Sequence, residues 1–283
     1  MKPLILGIWQ GRCKDGDVAA NIARTEAVID EAAAAGCDFG GLPGLFLSGV
    51  GSRQLQMKAA LRLDDPRLRA LAVRAAKRNV VTLVGLAEKR GRRFAVTQVV
   101  LAGGRVAGHY TKTMPTEQDW DLMRFHDDEL PVFRAKGVTF GIIICHDSSF
   151  PEVAATLAWK GARIIFSPHY NSIPAPRMDE HRIFVRNNHI GIAAHNNIVL
   201  ARSNVVGYWL ATETTAITAT APTLGQIALA PRTAGALVSV SNLLLRQSTQ
   251  TEPFIRRELL RTIGTTVDHA VLNGAGSAEP LGV

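Results

Sequence analysis

Leu4 to Gln10 is an apolar run of strand length, and its unbroken character predicts a strand covered on both faces. The period then changes. Val18, Ile22, Ile29 and Ala33 share one side of a helix that Asp15 or Asp17 can cap and Gly36 stops, near Ala35. A short strand is expected from Phe39 to Leu42. Asp64-Asp65-Pro66 then marks a helix start, with acids at the cap, proline in the first turn, and Leu68, Leu71, Ala72 and Ala75 as the buried stripe. Val80 to Ala87 and Phe94 to Leu101 read as strands around a hairpin tip at Arg90-Gly91-Arg92-Arg93, and Gly103-Gly104 turns the chain into a third strand, Val106 to Thr111. Val138 to Ile144 is again a strand buried on both faces. Pro151 opens a helix to about Lys160, Arg163 to Ser167 returns as a strand, and a helix is predicted near Asp179 to Asn188. Strands from Ile192 onward and a late helix near Glu252 to Ile263 complete the pattern.

Strands and helices alternate, but hairpins also occur, so a purely parallel doubly wound sheet fits poorly. No linker rich in proline and serine divides the elements, and no repeat of fixed period is visible. The chain reads as a single α/β domain over residues 1–263. A tail of glycine and small residues, 264–283, is expected to be loose or to cross to a partner.

Composition narrows the class. With 47% hydrophobic and 20% charged residues over 283 positions, the chain is expected to be globular with a large core. The net charge of +8 is concentrated: residues 53–93 hold twelve Lys and Arg against three acids. Arg62, Arg69 and Lys77 lie among apolar residues at helical spacing, so a solvated helix face and a basic turn explain the excess. Nucleic-acid binding would require interleaved aromatics or a recognisable module, and neither is present. Three cysteines (Cys13, Cys37, Cys145) make no complete disulfide framework and show no metal-ligand spacing. With no apolar run of membrane-helix length and no leader-like N-terminus, a cytoplasmic protein that binds neither membrane nor metal is expected.

Candidate chemistry gathers at Cys145. In Gly141-Ile-Ile-Ile-Cys145-His-Asp-Ser-Ser-Phe-Pro151-Glu152 an apolar strand ends in a thiol, turns, and enters a helix. That order projects the thiol from the strand's end toward the positive end of a helix, where a thiolate is favoured. Cys13 and Cys37 read as ordinary buried cysteines. His181, His189 and His195 lack the spacing of a helical metal site and read as structural or surface residues.

The segments in order resemble the nitrilase, or carbon–nitrogen hydrolase, superfamily. The resemblance rests on the strand ending in Gln10, followed by Asp17 and Asn21; on Leu42-Pro43-Gly44-Leu45-Phe46-Leu47-Ser48-Gly49; on Tyr110-Thr111-Lys112; and on Cys145-His146-Asp147 through Phe150-Pro151-Glu152. Gly161-Ala162, Ser167-Pro168 and Arg202-Ser203-Asn204-Val205-Val206-Gly207 continue it, and it weakens after about residue 207. It implies an αββα sandwich that pairs into larger assemblies through the helices next to the Cys145 strand. It also implies a Glu-Lys-Cys set acting on a small amide, N-carbamoyl compound or nitrile without a cofactor. Cys145 matches the nucleophile, and Lys112 matches the lysine that steadies the oxyanion.

The chain departs from this pattern at Gly44, where the resemblance places the proton-transferring glutamate; no residue from Gly40 to Val50 is acidic. Loss of a general base costs about 10²–10⁴-fold in rate, so an impaired enzyme, a binding protein on the same fold, or an acyl- or amidino-transfer enzyme are the competing expectations. Asp119 and Glu117 are the candidate replacement acids, Asp119 by position and Glu117 by chemistry. His146 is a further proton carrier or substrate contact, and His169, Tyr170 and Asn171 are expected to border the pocket. Tyr208 to Gly225 departs from the family as well. Gly44 itself is a candidate for a left-handed backbone, which would penalise any side chain there.

Overall fold

The computed structural model describes residues 3–119, 126–127, 129–171, 175–204 and, for the backbone, 223–229. It forms one compact unit, Leu4–Leu229. The sequence-predicted helix at 252–263, the domain limit at 263 and the tail 264–283 lie outside the described residues.

Six strands form the first sheet, in the order β10-β1-β2-β3-β4-β5: β1 (Leu4–Gln10), β2 (Phe39–Gly41), β3 (Val81–Arg90), β4 (Arg93–Ala102), β5 (Arg105–Thr111) and β10 (Thr223–Leu229). β1, β2 and β3 run parallel, while the hairpins β3–β4 and β4–β5 are antiparallel. The predicted basic tip is the first of these turns, Arg90 facing Arg93 with Gly91 at φ 64°. A second sheet has the order β6-β7-β8-β9, from β6 (Phe133–Ala135), β7 (Val138–Ile142), β8 (Ile164–Pro168) and β9 (Val199–Ser203).

The apolar residues show how these sheets stack. Leu6, Ile8, Phe39, Leu83 and Val96 of the first sheet pack with Phe140, Ile142, Phe166 and Ala201 of the second. The outer face of the first sheet is covered by α1 (Val18–Ala34) and α3 (Pro66–Lys77) through Val28, Ile29, Leu68, Leu71 and Ala72. The outer face of the second is covered by α4 (Pro151–Trp159) and α5 (Met178–Asn196) through Val153, Leu157 and Ile192. The result is a four-layer αββα sandwich, as expected.

Local chemistry explains the ends of the elements. Asp17 caps α1 by accepting from the Ala20 amide at 3.0 Å, and Asp65 caps α3 by accepting from Arg67 N, with Pro66 at the first position. α5 runs eight residues past the predicted end at Asn188 and stops at Asn197, which is left-handed at φ 50°. A short helix, α2 (Arg53–Lys58), was not legible in the pattern because none of its residues is buried.

Candidate active site

Two loops and one strand end converge on Cys145. The strand β7 stops at Ile142, two residues short of the predicted end, and the chain turns into a 3-10 helix beginning at Cys145. Cys145 has φ 52°, a conformation that side chains other than glycine's rarely adopt. Asp147 holds this elbow. Its carboxylate accepts from the amides of Ile144 (2.7 Å) and Met114 (2.8 Å) and from the Tyr110 hydroxyl (2.9 Å). Burial raises Asp147 to about 6 despite those donors. Tyr110-Thr111-Lys112 is thereby tied to the elbow from the end of β5.

Lys112 is fully buried. Its ammonium donates to Asp119 Oδ2 at 2.5 Å and to the Tyr170 hydroxyl at 2.6 Å, and Tyr170 in turn donates to Asp119 Oδ1 at 3.0 Å. Burial pushes the Asp119 carboxyl up, but the Lys112 ammonium and donors from Thr116 outweigh it and hold Asp119 below the usual range. Asp119 is therefore an ionised anchor for the lysine. Glu117, two residues earlier, is exposed and reaches none of these groups.

The thiol of Cys145 donates to Asn171 Oδ1 at 2.8 Å. Burial drives its pKa upward, and Lys112 and the Tyr170 amide only partly pull it back. The sequence suggested a favoured thiolate; in the folded protein the resting group is a thiol, because the low dielectric outweighs the nearby ammonium. Burial, and then Asp15, pushes Cys13 up to about 12, and burial also raises Cys37. No carboxylate touches Cys145 among the described residues.

The segment 42–49 lies against β3 because Gly85 carries no side chain; a Cβ there would stand 2.5 Å from Leu45 N and 2.7 Å from Gly44 Cα. Gln98 donates to Leu42 O, and Ser48 accepts from the Ala87 amide. The left-handed residues of this segment are Leu45 (φ 56°) and Gly49 (φ 85°), not Gly44 as anticipated. What a side chain at 44 would meet is Tyr170: a Cβ would lie 2.7 Å from its Cδ1 and 3.3 Å from its Cε1. Tyr170 thus fills the space that glycine leaves, and its hydroxyl sits on Lys112. Gly44 also donates its amide to His169 O.

The remaining candidates divide. Asn171 is held from two sides, its amide donating to Asn204 Oδ1 (2.9 Å) and its side chain facing His181 Nε2 (3.4 Å). Asn204 is bound by Gln10, whose side chain bridges Asn204 N and Arg202 O, so the ends of β1 and β9 brace the thiol's partner. His169 is buried, pairs with Ser167 Oγ at 2.9 Å, and burial drives it well below the usual imidazole range. His146 stacks edge-on against Phe150, 5.3 Å between ring centres, and the thiol's side-chain partner is Asn171 instead. Among the described residues no group of three or more His, Cys, Asp or Glu could hold a metal ion, and no helix is long and apolar enough to cross a membrane.

A family profile described as carbon-nitrogen hydrolase matches residues 5–207. The chain belongs to the carbon–nitrogen hydrolase family, the class that the sandwich and the Cys145 elbow define. It is 30% identical over 197 residues to an (R)-stereoselective amidase of a Pseudomonas species, spanning 69% of this chain and 68% of that protein. It is 29% identical over 213 residues to a protein of Pseudomonas protegens named for its place in the pqqF 5′ region, a hydrolase, spanning 74% and 72%. An amidase from Nesterenkonia sp. superimposes with a TM-score of 0.61 at 19% identity, over 72% of this chain and 76% of that one, which shows a shared fold. A second profile, the phage capsid family, matches residues 185–283 and overlaps the first from 185 to 207. Within that overlap the described residues complete α5 and β9 of the αββα unit.

Proposed function

We propose that this chain cleaves the carbon–nitrogen bond of a small amide, N-carbamoyl compound or nitrile through a covalent bond to Cys145. For an amide, Sγ attacks the carbonyl carbon, and Lys112 donates to the oxygen as it gains charge. The C–N bond then breaks, and the nitrogen leaves as ammonia or amine with the thiol's proton. Water attacks the thioester, releasing the acid and restoring the thiol. A nitrile would follow the same course through a thioimidate. The observation that carries this reading is Cys145 itself: a buried thiol at positive φ, set in the field of a buried ammonium. Asp119 keeps Lys112 charged and in place, while Asn171 and the Tyr170 amide orient the sulfur.

Ammonia release from a panel of simple amides, N-carbamoyl compounds and nitriles tests it. Turnover by the parent chain should fall to background in Cys145→Ala. Equal rates in the two proteins would remove Cys145 from the chemistry.

A second reading is favoured by one feature: the thiol's side-chain acceptor is an amide oxygen, which is not a base, and position 44 holds no carboxylate. Under that reading the chain binds or is acylated by its substrate but turns over slowly, or passes the acyl or amidino group to an acceptor other than water. Acylation without ammonia release in step with acid formation would select it.

Self-association is part of the proposal. Trp159 on α4 is 93% exposed, and Ile183 and Phe184 on α5 are 62% and 58% exposed. An apolar set of this kind on adjacent helices suits a second copy of the chain. Light scattering at micromolar concentration should give at least twice the chain mass of 30.5 kDa. A concentration-independent value for one chain would contradict it.

A further inference from the structure

The chemistry above gives no task to the Tyr170 hydroxyl. The backbone amide of this residue contacts the Cys145 sulfur, and its hydroxyl accepts from Lys112 at 2.6 Å. One residue therefore reaches both the nucleophile and the ammonium that faces the reacting carbonyl. Its ring lies where a side chain at position 44 would stand, so the phenol occupies the place that Gly44 leaves empty.

The hydrogen bonds around this hydroxyl leave two acceptor places open. A hydroxyl oxygen carries one proton and two lone pairs. Tyr170 gives its proton to Asp119 Oδ1 at 3.0 Å and takes one bond from Lys112, so its second lone pair meets no donor among the described residues. Asp119 is loaded unevenly. Oδ2 accepts from Lys112, from the Thr116 amide at 2.9 Å and from the Thr116 hydroxyl at 2.7 Å, whereas Oδ1 accepts from Tyr170 alone. Oδ1 is thus the oxygen with room for a proton, and the phenol lies against it. The other groups near the thiol are engaged or inert. Asn171 presents an amide oxygen, Asp147 is taken up by the amides of the elbow and by Tyr110, and His146 is turned onto Phe150.

We propose that Tyr170 and Asp119 form a proton relay that serves Cys145 in place of a carboxylate at position 44. Tyr170 Oη takes the proton of the attacking thiol or water while passing its own to Asp119 Oδ1. This rests on the reading of Cys145 as nucleophile and supplies the base that reading lacks. In acylation the sulfur bonds the carbonyl carbon and its proton enters the relay. As the C–N bond breaks, Asp119 returns a proton to Tyr170, and Tyr170 gives its own to the departing nitrogen. In deacylation water bonds the same carbon and its proton enters the relay. As the C–S bond breaks, that proton goes to the sulfur, leaving the acid and the thiol. Asp119 is held below the usual carboxylate range and is a weak base, so the relay is slower than a free carboxylate at 44 would be.

The test uses the full chain and p-nitrophenyl acetate, whose leaving group departs without a proton. Intact-mass spectra follow the acetyl group on Cys145 as it forms and as water removes it. Tyr170→Phe keeps the ring against Gly44 and the amide on the sulfur, yet removal should slow by about 10²-fold, as for loss of a general base. The pH profile separates a relay from a structural role. Between about pH 7 and about pH 9 removal in the parent chain should be flat, whereas in Tyr170→Phe it should rise about tenfold per pH unit, because hydroxide then replaces the relay. Over that range Asp119 and Asp147 are ionised, His146, His169 and His181 are neutral, and Tyr170 keeps its proton. The acetylated Cys145 no longer titrates. Should Tyr170→Phe fail to fold, Tyr170→Met, which fills the space without a proton-carrying group, should give the same two results. Equal removal rates in the parent and folded Tyr170→Phe, a tenfold rise per pH unit already present in the parent, or an acetyl group that the parent never loses would overturn the relay. Failure of the parent reading looks different: no acetyl group reaches Cys145 in either protein, which removes the nucleophile and the relay with it.

Discussion

Replacing Gly44 by glutamate and Tyr170 by alanine together is expected to raise amide turnover by about 10²-fold or more, the worth of a positioned general base. Gly44→Glu alone is expected to give no such gain and to lower stability by about 1–3 kcal/mol, because its side chain must displace a packed ring. The difference comes from the 2.7 Å approach between a Cβ at 44 and Tyr170 Cδ1. The backbone at Gly44 is not left-handed, so strain in the chain itself adds little. Truncating Tyr170 opens the volume, and the new carboxylate can take the acceptor place on Lys112 that the phenol now occupies. Initial rates and thermal melts of both variants and of Tyr170→Ala measure the coupling. Gains of equal size in the single and double variants, with equal stability, would show that the tyrosine does not block the site.

The Lys112–Asp119 pair should produce the second large effect. Removing one member of a buried ion pair strands the other and costs about 3–5 kcal/mol. Asp119→Ala should therefore lower the melting temperature sharply and reduce turnover by at least about 10²-fold, since the ammonium loses the partner that aims it. Lys112→Met should reduce turnover as much, while leaving a protonated or water-solvated Asp119. Glu117→Gln should change neither quantity, because that carboxylate is exposed and outside the network. Rates and denaturant melts of the three variants decide the assignment; a large loss in Glu117→Gln would reverse it.

Much of this frame was legible from residue pattern. α3 announced itself through the Asp65-Pro66 start and the stripe Leu68, Leu71, Ala72 and Ala75, all fully buried. The β3–β4 hairpin did so through Gly91 between two apolar runs. Asp119 came from position relative to Lys112 in the family resemblance, and the structure joins the two at 2.5 Å. What could not be read is what the fold brings together over long separations. Tyr170 lies 126 positions from Gly44, and no periodicity links a loop glycine to a ring after β8. The ionisation of Cys145 was misjudged for a related reason. Local sequence shows the helix start and the lysine, whereas the desolvation that dominates is a property of the packed core.

The central claim is that Cys145 is acylated by the amide it cleaves. Intact-mass spectrometry of the full chain, quenched in acid shortly after mixing with an excess of each panel amide, reads this directly. The account predicts one added acyl group on the parent chain for at least one amide, mapped to the peptide containing Cys145 and absent in Cys145→Ala. An adduct that persists in Cys145→Ala, or ammonia release by the parent chain with Cys145 never modified, would contradict it.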